Sequence, residues 1–309
     1  LMILSVTSSV LLVASSSSLF ISWVGLELNT LAFIPLLLSK KNKLTSEASI
    51  KYFLTQTLAS ILVIGGGLLF FISRVGEGEG LIFFGLAIKL GAAPFHSWLV
   101  TVAESLGWAP LFILLTVQKI NPLLMVWNFS SVNLDLLFFI IVTTLIVGAL
   151  MGLIQTSARA LLTFSSINHV GWLLTSTIYS LQAMLIYFFI YSTILLAPIL
   201  LLHLNNISHL NELPLIQLKM QHQCLLFFCF LSLGGLPPFL GFLPKWMILQ
   251  FTASFSLGML SLTLISTSLF TLFFYLRLMF AAFIFGGGGV YQNTSLKIPF
   301  FLSFLLSIS

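Results

Sequence analysis

Charge is scarce in this sequence. Only 6% of its 309 residues are charged, while 59% belong to the strongly hydrophobic set. Twelve Lys+Arg and seven Asp+Glu cannot cover the exterior of a body this size, which excludes a soluble globular fold. Cysteine is almost missing as well. Cys224 and Cys229 fall about 140° apart on a helix, without His or Cys at ligand spacing, which excludes an iron–sulfur or zinc site. They read as buried, inert thiols. The glycine clusters Gly76–Gly80 and Gly286–Gly289 follow no strand and have no Lys-Ser/Thr, so they read as loops and not phosphate cradles. No dinucleotide or flavin fingerprint occurs. Short alternating segments are absent too, which excludes an outer-membrane barrel. The net charge of +5 is spread singly among apolar residues and excludes nucleic-acid binding.

Long apolar runs fill the chain. At about 20 residues per span they make room for about eleven transmembrane helices and no soluble domain. The breaks place them near 3–21, 23–38, 50–73, 81–103, 109–127, 134–155, 159–178, 181–203, 222–251, 255–284 and 298–309. The expected architecture is all-α and polytopic, a single transmembrane domain over 1–309. The serine run Ser15–Ser18 falls in the first span, where hydroxyls bond back to the helix or admit a close neighbour. No cleavable presequence is evident. Leu1 suggests trimming or a nonstandard start codon, and the short last run suggests an incomplete C-terminus. Lys40, Lys41, Lys43 and Lys51 make the densest basic stretch. By the positive-inside rule it faces the cytoplasm or matrix, and the N-terminus with it. Alternation then puts Arg159, Lys219 and Lys297 in or beside inside loops, and Glu77, Glu79 and Asp135 on outside ones.

Four charges sit within spans: Glu27, Lys89, Lys119 and Lys245. On insertion scales each costs about 2.5–3.5 kcal/mol and has to face protein. Each has a plainer reading: Glu27 near the end of a short span, Lys119 neutral and capped by carbonyls, Lys245 snorkelling. Two breaks accompany the lysines. Gly91 and Pro94 interrupt a helix just after Lys89, and Gly234-Gly235-Leu236-Pro237-Pro238 does so ahead of Lys245. Interrupted spans at membrane depth are tolerated only inside protein or beside a wet cavity, and they point to a transport site. The two broken helices are five apart in order and cross in opposite directions, as inverted repeats require. Lys119 with Asn121 and Pro122, and Ser165, Ser166, Asn168 and His169, add polar groups at depth. Among them His169 is a candidate member of a hydrated proton relay. Glu27 is the acid available to pair with a lysine; the residues alone do not say which.

Five stretches carry a family resemblance: Trp23-Val24-Gly25-Leu26-Glu27-Leu28-Asn29, Lys89-Leu90-Gly91-Ala92-Ala93-Pro94-Phe95-His96, Gln118-Lys119-Ile120, Ser165-Ser166-Ile167-Asn168-His169-Val170-Gly171-Trp172, and Gly234-Gly235-Leu236-Pro237-Pro238-Phe239-Leu240-Gly241-Phe242, continued by Leu243-Pro244-Lys245-Trp246. Over nearly the whole chain they resemble the subunit 2 family of NADH dehydrogenase, mitochondrially encoded antiporter-like membrane subunits of respiratory complex I. The resemblance implies a core membrane-arm subunit of a proton-translocating NADH:ubiquinone oxidoreductase. It pairs Glu27 with Lys89, makes Lys119 the central lysine of the relay and Lys245 the lysine of the second broken helix, and places His96 where polar groups guide water. It also implies a multi-pass protein of the mitochondrial inner membrane that binds no cofactor itself. NADH, FMN, iron–sulfur clusters and ubiquinone would belong to partner subunits. Its partners would be neighbouring membrane-arm subunits, accessory subunits and phospholipids. A nonstandard start codon would account for Leu1. Where many members carry Pro-Glu, this chain has Val100-Thr101, leaving Glu104 as the nearby acid. Two other readings compete: a stand-alone cation/proton antiporter, and an inert assembly scaffold.

Overall fold

The computed structural model describes residues 2–38, 42–73, 77–129, 134–212 and 220–285. The chain runs α1 (Met2–Ser15), α2 (Leu19–Leu37), α3 (Lys43–Ser73), α4 (Glu77–Leu90), α5 (Ser97–Ser105), α6 (Trp108–Leu115) and α7 (Val117–Phe129). It continues with α8 (Leu134–Gly152), α9 (Ala158–Tyr179), α10 (Leu181–Leu204), a 3-10 turn at Leu210–Glu212, α11 (Met220–Gly234), α12 (Phe242–Ser254) and α13 (Gly258–Phe285). Among the described residues there is no strand, only an isolated bridge between Ser157 and His209. Among the described residues six helical segments are long and apolar enough to cross a membrane, and the half-helices at the breaks complete an all-α membrane fold. Lys40, Lys41, Gly76, Lys219, Gly286–Gly289, Lys297 and the expected helix 298–309 lie outside the described residues.

The chain divides into two compact units, Leu1–Thr144 with Leu173–Leu181, and Leu145–Trp172 with Gln182–Ser309. In the first, α3 and α4 approach closely because glycines meet. A Cβ on Gly66 would sit 2.5 Å from the Gly78 carbonyl oxygen, and one on Gly78 would sit 2.5 Å from the Phe70 amide. Gly78 therefore belongs to a helix–helix seam of small residues. This corrects the loop expected at Gly76–Gly80: residues 77–80 open α4, and Glu79 is buried in its first turn and not on an outside loop. In the second unit, Gly148 on α8 allows the Asn168 backbone of α9 to approach, and the Asn168 amide donates to the Leu145 carbonyl at 3.1 Å.

Three boundaries differ from expectation. The first connection falls at Ser16–Ser18, so the serine run ends α1 and opens α2. The Ser15 and Ser16 hydroxyls bond back to the Leu12 and Val13 carbonyls, while Ser18 caps α2 by accepting from the Ile21 amide. The helix expected near 50–73 begins earlier, at Lys43, so Lys43 joins Lys51 on α3, and Lys51 pairs with Glu47 one turn back at 2.7 Å. The span expected over 109–127 is broken at Thr116, whose amide and hydroxyl both bond the Phe112 carbonyl.

α9 explains where the polar residues went. Every residue from Ala160 to Thr177 is buried, so its serines, threonines, Asn168 and His169 touch protein and not lipid. By contrast α3 turns Ile50, Leu54, Leu58 and Ile61 outward, the apolar face a bilayer-exposed helix needs. On α11, Cys229 is buried and Cys224 half-buried, both as free thiols.

Candidate functional site

Both glycine breaks have the same backbone construction. α4 ends where Gly91 takes φ +66°, with its amide on the Ile88 carbonyl and the Ala92 amide on that of Ala87. α11 ends where Gly235 takes φ +78°, with the Leu236 amide returning to the Leu231 carbonyl at 3.4 Å. Each is a left-handed glycine cap, closed by a bond from the residue after the glycine to a carbonyl five positions earlier. Both then turn through an i→i+3 bond, Phe95 to Ala92 and Phe239 to Leu236. Side chains of the outgoing half-helix add a bond to a carbonyl at each cap. The Trp98 indole donates to the Ile88 carbonyl at 3.0 Å. The Lys245 ammonium donates to the Gly234 carbonyl at 2.8 Å.

In the first unit the breaks gather charge. The Lys89 Nζ lies 3.9 Å from the Glu27 Oε1, with the two side chains 2% and 21% exposed. Glu27 stands in the middle of α2, not near its end, so the pair is internal. The distance exceeds a hydrogen bond, and neither atom makes one among the described residues. The Thr30 hydroxyl bonds the Glu27 carbonyl at 2.8 Å and approaches its Oε2 at 3.3 Å. Lys89 and Lys119, the latter buried in the first turn of α7, line one small cavity with Tyr52, Gln56 and Gln118. A directed chain crosses it: Tyr52 OH donates to Gln118 Oε1 and Gln118 Nε2 donates to Asn29 Oδ1, both at 3.1 Å. Sequence reasoning passed over Tyr52, Gln56 and the Thr116 break. Pro122, which takes away the amide that would pair with the Gln118 carbonyl, was a signal for the last.

His96 stands apart from this group. It is the half-buried residue preceding α5 and does not line the cavity. Glu104, on the same half-helix, is exposed.

In the second unit Lys245 is buried in the first turn of α12 and does not snorkel. Besides its carbonyl, it lies 5.7 Å from the centroid of the Trp172 ring, within cation–π range. A Cβ on Gly235 would come within 3.1 Å of its Nζ. His169 Nδ1 shares a 2.8 Å hydrogen bond with Tyr187 OH, and its ring lies 4.7 Å from that of Tyr191. A cavity lined by His169, Tyr187, Tyr191, Ser232, Gly241 and Pro244 adjoins the second break. Tyr187 and Tyr191 also escaped the sequence reading, because tyrosines in an apolar helix look like core.

The chain matches known proteins in sequence and in fold. The family model for the transmembrane region of NADH:quinone oxidoreductase/Mrp antiporters matches residues 16–77 and 72–271. The NADH-ubiquinone oxidoreductase chain 2 of Anopheles gambiae is 43% identical over 291 residues, covering 88% of this chain and 82% of that one. That of Branchiostoma floridae is 40% identical over 285 residues, with the same coverage. Among solved structures, respiratory complex I from Thermus thermophilus matches with a TM-score of 0.86 at 23% identity, over 99% of this chain and 75% of that one. The Mrp complex from a Dietzia species matches at 0.82 and 20% identity, over 95% and 61%. With this degree of identity over most of its length, and with two glycine-broken helices in an all-α membrane fold, the chain belongs to the NADH-ubiquinone oxidoreductase chain 2 family of antiporter-like membrane proteins.

Proposed function

We infer that this chain is a proton-translocating core subunit in the membrane arm of NADH:ubiquinone oxidoreductase, and that Glu27, Lys89, Lys119 and Lys245 carry its protons, with His169 in a supporting place and His96 at the edge. The observation that carries this reading is the internal ion pair of Lys89 and Glu27, 3.9 Å apart and opening on a cavity shared with Lys119. A buried ammonium is tolerated while its counter-charge is near; when the pair is separated, the uncompensated charge sheds its proton to the next acceptor. Polar side chains from three helices line the cavity between the lysines and supply the hydrogen bonds such a transfer needs. Neutral Lys89 then recovers a proton once Glu27 returns to it, and the cycle repeats.

The electrons travel elsewhere. NADH, FMN, iron–sulfur clusters and ubiquinone belong, in this reading, to partner subunits, and the chain couples to them through electrostatics and helix movement. It sits in the mitochondrial inner membrane with its N-terminus on the matrix side, against other membrane-arm subunits, accessory subunits and phospholipids. Family membership at 43% identity favours this over a stand-alone cation/proton antiporter. Buried lysines that are seated against a carbonyl, an aromatic face or a carboxylate likewise favour it over an inert scaffold. The test is Lys89→Met and Lys245→Met in the assembled complex. Both should lower protons moved per electron while leaving electron transfer from NADH to an artificial acceptor intact. Wild-type stoichiometry in both refutes the assignment.

A further inference from the structure

His169 and Lys245 are connected by aromatic side chains. Tyr187 holds the imidazole Nδ1 at 2.8 Å. Its ring stacks on Trp172, with centroids 6.5 Å apart and planes at 11°. Trp172 also meets the Lys245 ammonium, 5.7 Å from the ring centroid. Trp172 and Tyr187 are fully buried, and Tyr191 closes on the imidazole at 4.7 Å. Five side chains from α9, α10 and α12 thus form one packed bracket beside the second break.

A histidine that passes a proton has to keep its ring in place in both protonation states. A tyrosine oxygen suits this, since it accepts from Nδ1–H whether Nε2 is bare or protonated. Its aromatic body meanwhile is fixed by the stack on Trp172.

We propose that Tyr187 is a positioning residue of the proton path: its hydroxyl reserves Nδ1 of His169, so that protons enter and leave the imidazole at Nε2, and its stack on Trp172 ties that ring to the seat of Lys245. The proton balance is simple. Nε2 takes one proton from a donor on one side and returns one to an acceptor on the other, with no bond to carbon and no electron transferred. The titratable groups facing the bracket are Tyr187 and Tyr191 from α10, Lys245 from α12 and Tyr275 of α13, which interacts with Tyr191 and packs on Phe230 of α11. The inference rests on the reading of His169 and Lys245 as members of the relay.

The experiment compares Tyr187→Phe, Tyr191→Phe, Trp172→Phe and His169→Met in the assembled complex. It measures protons moved per electron across the pH range, with NADH oxidation by an artificial acceptor as the control for electron entry. Tyr187→Phe keeps the ring and its stack and removes only the hydroxyl. It should lower pumping at least three-fold and displace its pH profile, more than Tyr191→Phe does. Trp172→Phe should give a smaller loss in the same direction. Wild-type pumping and profile in Tyr187→Phe, alongside a loss in His169→Met, overturns the positioning role but leaves the relay. Wild-type pumping in His169→Met removes the relay role of His169 and the proposal with it. Should Tyr187→Phe fail to assemble, Trp172→Phe decides: unchanged pumping there refutes the bracket.

Discussion

Changing Glu27 in steps should grade proton pumping by the length of one bond. At 3.9 Å and an effective dielectric of about 20, the attraction between Lys89 and Glu27 is about 4 kcal/mol. Glu27→Asp withdraws the carboxylate by about 1.5 Å, one carbon–carbon bond, which lowers the attraction by about 1 kcal/mol. That is about five-fold in the equilibrium that makes and breaks the pair. Glu27→Gln removes the whole attraction, about three decades. The assay is the assembled complex in sealed vesicles, with a pH-sensitive dye reporting protons and absorbance reporting NADH. Coupled turnover should fall about five-fold in Glu27→Asp and to the passive leak in Glu27→Gln, while NADH oxidation by an artificial acceptor stays at the wild-type rate. Adding Lys89→Met to Glu27→Gln should cost little more, because the two substitutions remove one interaction. Wild-type proton-to-electron ratios in Glu27→Gln, or equal losses in the Asp and Gln variants, would refute the electrostatic reasoning.

Four other outcomes follow from the geometry. Gly235→Ala forces a side chain into φ +78° and brings a Cβ within 3.1 Å of the Lys245 Nζ; the left-handed backbone alone costs about 1–2 kcal/mol, and pumping should drop with electron entry unaffected, unlike a substitution at an open glycine. Trp98→Phe removes one of two donors to the Ile88 carbonyl and leaves the Gly91 amide; it should destabilise the complex by about 0.5–1.5 kcal/mol, seen as earlier dissociation in a thermal ramp. Lys51→Ala breaks an exposed i,i+4 pair and should leave the dissociation temperature unchanged, since solvent screens the pair; a clear shift on the same ramp would mean the pair serves an interface. At Glu212 burial pushes the carboxyl upward, but the Ser208 and His209 amides and the Ser208 hydroxyl outweigh it and hold it below the ordinary carboxylate value. Its contribution is therefore complete above that ordinary value and is lost as pH falls through the lowered one, so amide exchange at Ser208 and His209 should quicken only in acid.

The two glycine breaks were legible in sequence because Gly and Pro beside a lysine in an apolar run free backbone groups and leave a charge at membrane depth, where only protein or trapped water can meet them. The break at Thr116 left one signal in the sequence, Pro122, which does not by itself place it. Nothing in a threonine requires a helix to stop, and the span reads as continuous by hydropathy. Residues 77–80 misled in the opposite direction: glycine spacing looks like a loop until the facing helix shows that Gly66 and Gly78 are the surfaces of a close approach. Tyr52 and Tyr187 were invisible for a related reason. A buried tyrosine is common, and only the partner found across the fold, Gln118 for one and His169 for the other, turns its hydroxyl into part of a path.

The class of this protein follows from composition alone. With so few charges it has to dissolve in lipid, and charges left within spans have to face protein, so Glu27, Lys89, Lys119 and Lys245 stood out before any fold was known. Their pairing was decided by tertiary structure. Which lysine meets Glu27, which carbonyl seats Lys245 and which hydroxyl holds His169 depend on contacts between residues on different helices, 11 or more positions apart. Burial costs act on each residue singly and can be read along the chain, whereas a hydrogen bond or an ion pair exists only where packing brings its second atom within a few ångströms.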